Sequence, residues 1–311
     1  MNDTNAGSTS ADSDDNIFIG YDAGGGTWAD AKSEFNIAIG NYVMDGALNG
    51  ALNNIGIGHL ALSAVTTADN NIVLGAEAGE AITTGLKNII IGVKAGEALI
   101  DGGSNVAIGH NALLVEDGHG QNIAIGESTL ANLNAGANGH NVAVGFESLK
   151  TEDAHGHNTA VGSQALKTLN AGADGKNTAV GAFAGKFMTT GVQNTLMGGL
   201  TGDALTDADS NTALGYQALS TDTKGNRSVA IGHSALRVQN FTSSTNSDNT
   251  AVGFFAGEDL TTGVSNTLIG SQAGEKITTA TNSTAVGFDA LSSNTTGVSN
   301  TAVGSLSLDA N

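Results

Sequence analysis

The sequence predicts an all-β protein: a parallel β-solenoid (β-roll) of about 17 coils with a 17-residue period. It runs as a single repeat domain over residues 16–311 behind an acidic, disordered tail at residues 1–15. Three observations predict this. A five-residue phrase (Asn, two small or β-branched residues, an aliphatic residue, Gly) recurs seventeen times, and eleven of the sixteen intervals are 17 residues. That period is too short for a helical-pair repeat, about 33–47 residues, and suits one solenoid coil stacked about 4.8 Å from the next. The β-branched residues favour strand, whereas a Gly in a helix interior costs about 1 kcal/mol.

Composition narrows the class. The 311 residues include 45 Gly but no Pro and no Cys, which excludes collagen, Pro-rich linkers, disulfide scaffolds and Cys-based metal sites. A net charge of −19 argues against nucleic acid and anionic membrane surfaces as partners. No apolar stretch reaches the roughly 18 residues of a membrane span. The segment Met1-Asn2-Asp3-Thr4 lacks the cationic and apolar regions of a secretory signal.

Within a coil, the phrase is expected to form one of two short strands, with a turn after each. The residue before each anchor Gly is aliphatic in all seventeen copies, from Ile19 to Val303, and is read as the central core position. Four residues after the anchor stands Leu or Met in ten copies and Gly in seven. Where it is Leu or Met, the residue two before the anchor is Ala or Gly; in five of the Gly copies that residue is large (Phe18, Val73, Ile90, Leu196, Leu268). The exchange conserves volume, so these positions are expected to share one interior space. The other two Gly copies keep Ala179 and Ala251, with Phe183 and Phe255 as the expected fillers.

Asn opens the phrase in fifteen copies. A column of Asn36, Asn71, Asn88, Asn105, Asn122, Asn141, Asn158, Asn177, Asn194, Asn211, Asn249, Asn266 and Asn300 can pair amides from coil to coil, and Asn also tolerates a left-handed corner. Ser228 and Ser283 interrupt the column. The strand phrase is apolar on both faces, so one face is expected to close the coil and the other to meet a neighbouring chain.

Asn226-Arg227-Ser228-Val229-Ala230-Ile231-Gly232-His233-Ser234-Ala235 resembles the head repeat of trimeric autotransporter adhesins. The commoner form, Asn211-Thr212-Ala213-Leu214-Gly215-Tyr216-Gln217-Ala218-Leu219, is similar to repeats of phage tail fibres. The resemblance implies a homotrimer, an extracellular or virion location, and attachment to a host-surface glycan or protein receptor, without enzymatic activity or cofactor. The 17-residue period departs from the shorter adhesin repeat. The missing secretion signal, stalk and membrane barrel favour a virion fibre over a bacterial trimeric surface adhesin or extracellular filament subunit. An end just after a full phrase, at Asn311, is consistent with removal of a C-terminal folding chaperone.

Other chemistry is sparse. Glu116-Asp117 and Glu152-Asp153 read as solvated loop acids, although paired acids keep a solenoid carbohydrate-active enzyme as an alternative. His155-Gly156-His157 offers His155 and His157 as weak metal ligands. Thr pairs such as Thr83-Thr84 and Thr278-Thr279 suggest an ice-binding alternative. The longer intervals place Trp28 and Phe241 on insertions, where they are candidate surface contacts.

Overall fold

One strand per coil is formed by the three residues between Asn and the anchor Gly. The structure, a computed structural model, describes residues 13–28, 31–116, 118, 120–133, 139–152, 156–172 and 174–309. The chain forms two compact units, residues 1–156 and 157–311. The first holds β1 (Ile17–Ile19), β2 (Ile37–Ile39), β3 (Ile55–Ile57), β4 (Ile72–Leu74), β5 (Ile89–Ile91), β6 (Val106–Ile108), β7 (Ile123–Ile125) and β8 (Val142–Val144). The second holds β9 (Thr159–Val161), β10 (Thr178–Val180), β11 (Thr195–Met197), β12 (Thr212–Leu214), β13 (Gly225–Asn226), β14 (Val229–Ile231), β15 (Thr245–Asn246), β16 (Thr250–Val252), β17 (Thr267–Ile269), β18 (Thr284–Val286) and β19 (Thr301–Val303). Within each unit the three-residue strands pair in parallel, copy upon copy, in one register: Val73 lies beside Ile90, and Ala160 beside Ala179. Residues 13–15 already touch the stack, since Ser13 Oγ accepts the Ser33 N–H. Residues 1–12 of the expected tail lie outside the described residues.

The predicted second strand is local. Among the described residues it survives as β13 beside β15 and as one bridge between Glu34 and Leu52. Elsewhere the rest of the coil is built from left-handed corners. Counting from the anchor Gly as zero, positions −5 and +2 have φ between 48° and 64° in every coil, and so does every Leu or Met at +4. Such a conformation costs a non-Gly residue roughly 1–2 kcal/mol. Its return is direction, because the corner N–H groups point along the stack. Lys94 N donates to Ala76 O at 3.0 Å in the preceding coil, and Leu113 N to Thr129 O at 3.0 Å in the following one.

The core lies one residue away from its predicted position. In a three-residue strand the middle side chain faces away from the two that flank it, and here the middle one points inward. Position −2 is therefore buried, as Ala38, Val73, Ile90 and Ala160 show, while Ile19, Ile39, Met197 and Val303 at −1 are exposed. Positions +3, +4 and +7 complete the interior, for example Ala78, Leu113 and Ile82.

The predicted sharing of space is seen directly. A Cβ on Gly96 would press on Ile90 of its own coil, and one on Gly56 would press on Val43 and Met44 of the coil before. In the two exceptional coils the filler is different from the one predicted. Gly185 is crowded by Leu166 and Leu196 of the flanking coils, and Gly257 by Leu236 and Leu268, so Phe183 and Phe255 do not take that space.

The anchor glycines answer to the neighbouring coil. Gly75 has φ 145°, and a Cβ there would overlap the carbonyl oxygen of Gly92 in the next coil. The same approach recurs along the column, as at Gly181 against Gly198.

Candidate functional site

The amides of the column are held on several sides, as at Asn71. Asn71 Oδ1 accepts the backbone N–H of Asn88 at 2.9 Å and the Asn88 Nδ2 at 3.0 Å. Asn71 Nδ2 donates back to Asn54 Oδ1 at 3.0 Å and to Gly85 O at 2.8 Å. The same N–H to Oδ1 link joins Asn36, Asn54, Asn71, Asn88, Asn105, Asn122 and Asn141 in the first unit. In the second it joins Asn158, Asn177, Asn194 and Asn211, and again Asn249 to Asn266. Asn300 is half-buried, and its carbonyl accepts the Thr284 N–H. The left-handed corner belongs to the residue before each Asn, as at Lys87 before Asn88, so corner tolerance is not what selects Asn.

At Ser228 the amide is missing, and the insertion that follows mends the break. Ser228 N–H still reaches Asn211 Oδ1 at 2.8 Å, but its short side chain meets Ser247 Oγ at 2.6 Å and Gln239 Nε2 at 2.8 Å. Gln239 Oε1 then accepts Asn249 Nδ2 at 2.9 Å, and Gln239 Nε2 also donates to Asp222 Oδ2 at 2.6 Å. Asp222 is buried, and its other oxygen accepts the backbone N–H groups of Gly225, Phe241 and Lys224. Burial pushes its carboxyl above the ordinary Asp value, against the pull of these donors.

The aromatic candidates are packing residues. Phe241 is buried against Gly225, and Trp28 is half-buried with its ring edge-on to Phe18 at 5.6 Å and its Nε1 donating to Gly24 O at 3.0 Å. Phe241 is thus turned inward, which corrects its reading as a surface contact, while Trp28 packs on Phe18 and keeps part of its surface exposed. Glu116 and Glu152 are also fully buried, at the +7 core position, and are not solvated loop acids. Their signal was positional: they fall where other coils place Leu or Ile. His157 is exposed and pairs with Asp174 at 3.4 Å, while His155 lies outside the described residues. Thr83 and Thr278 spend their hydroxyls on the next coil, donating to Ile100 O and Thr295 O. Glu77, Glu80 and Glu97 gather within ligand distance of one another, but the Lys94 ammonium already bridges Glu77 at 2.8 Å and Glu97 at 3.1 Å.

No family model, curated protein or solved structure matches this chain.

What remains is a surface. Positions −3 and −1 face outward from the strands, and position +1 borders them two residues on. Across these three columns of seventeen residues there is one carboxylate, Glu127, and no Lys or Arg, in a chain with 30 acidic and 11 basic residues. Apolar side chains stand exposed along it: Ile72, Ile89 and Ile91 in the first unit, Leu214, Phe254 and Phe288 in the second.

Proposed function

We propose that the chain is a structural and adhesive element, a shaft or head segment of a fibre built from three copies of itself, of the phage tail-fibre kind. The observation that carries this reading is the uncharged outward strand face. A monomer rarely keeps so long an apolar stripe exposed. A chain of net charge −19 meets an identical chain most readily where charge is scarce, and this face carries a single carboxylate. Strands about 4.8 Å apart and a width of three to four residues give each unit on the order of 400 Å² of such surface. Within one unit this is about half of the roughly 800 Å² per partner of a standard interface. The rest of the coil suits a mechanical role, with hydrogen bonds and buried aliphatics linking each coil to the next.

The deciding measurement is the mass of the purified chain by light scattering at micromolar concentration. Three copies are expected, and a monomer overturns the proposal.

A further inference from the structure

The outward face carries three histidines, all at position +1: His59, His110 and His233. Their surroundings differ. His59 has Glu77 and Glu80 as electrostatic neighbours, and His110 is followed in the same column by Glu127. His233 sits among rings. Tyr216 of the preceding coil lies 5.5 Å from it, and Phe254 and Phe255 of the following coil lie at 5.3 Å and 5.4 Å. Of these neighbours only the Tyr216 phenol can titrate. The two arginines of its own coil are paired with carboxylates of the next, Arg237 with Glu258 at 2.7 Å and Arg227 with Asp248 at 3.8 Å. Among the described residues no carboxylate lies within ion-pairing distance of His233.

We infer that His233 makes self-association along this face sensitive to acid, a regulation that rests on the three-copy reading above. In the free chain the ring is exposed, so an added proton is hydrated and faces the aromatic rings. When copies meet, the imidazolium must shed its water in a zone with no partner charge, and the assembly therefore favours the neutral ring. A proton bound by the free chain but not by the assembly weakens association by up to about tenfold per unit fall in pH for each site. Three copies give up to about a thousandfold per pH unit. His59 escapes this penalty because Glu77 and Glu80 are there to balance its charge.

The test is the mass of the full chain between pH 8 and pH 5.5, above its pI near 4.4, with circular dichroism confirming that it stays folded. The wild-type assembly should fall apart as the pH drops. His233→Phe, which keeps the stacking, should stay assembled, and His59→Phe should respond as wild type does. A wild-type mass that does not change with pH, or a His233→Phe variant that dissociates alongside wild type, overturns the inference and leaves the three-copy reading standing. A monomer at pH 8 overturns both.

Discussion

Replacing Asn71 with Ala tests the amide column where it is most regular. The substitution leaves the Asn88 backbone N–H and one Asn88 Nδ2 proton without an acceptor, and Gly85 O without its side-chain donor. All three are buried, Asn71 and Asn88 being 0% exposed. An orphaned buried polar group costs about 1–3 kcal/mol, so the expected loss for three is about 3–9 kcal/mol, a large part of the 5–15 kcal/mol of a typical domain. Because a repeat array can open locally, the loss should be concentrated in the coils around β4 and β5. Urea unfolding gives the total and amide hydrogen exchange its location, with the exposed Thr84→Ala as a control expected to stay within about 0.5 kcal/mol. A loss below about 1 kcal/mol, with the Asn88 amide still protected, would show that the column is decoration and that backbone pairing alone holds the coils.

Gly75→Ala should prevent native stacking of its coil, since the new methyl would overlap Gly92 O and φ 145° is strained for Ala; a normal melting curve would refute the close-approach account. Leu113→Gly should cost about 3 kcal/mol through lost burial, and adding Ala107→Leu should recover most of it by recreating the arrangement of Ile90 and Gly96. Additive losses in that double variant would contradict a shared space. Asp222 has a raised pKa in the folded state, so its contribution is fully present below the ordinary Asp value near 3.9 and is lost as pH rises through the folded value. Wild type should therefore lose stability relative to Asp222→Asn between pH 4 and pH 8, and parallel curves would count against this.

The period, the strand triplet and the exchange between positions −2 and +4 were legible because each is repeated seventeen times and volume must be conserved in a packed interior. The facing of the strand was not. Ile at −1 and Ala at −2 look like a core residue and a spacer, and only the position of the corners shows that the small residue points inward. Those corners were hidden in turn because Leu, Lys and Glu at positions such as Leu113, Lys94 and Glu77 are poor indicators of a left-handed backbone; inter-coil hydrogen bonds, which no local propensity encodes, hold them there. The candidate surface failed at Phe241 for one reason. An insertion was read as a loop on the outside, whereas here Gln239, Phe241 and Ser247 replace interior groups that Ser228 cannot supply.

The amide column also has a sense of direction. Every Oδ1 described above accepts from the coil that follows it, never from the one before, so the amide dipoles add like vectors rather than cancelling. A finished coil thus offers a fixed acceptor to the next Asn to be made, and a chain emerging from the ribosome meets its template in the order in which it is synthesised. Whole coils can be gained or lost without disturbing this order, and the intervals longer than 17 residues leave the strand register intact, so length varies between the columns and never within them.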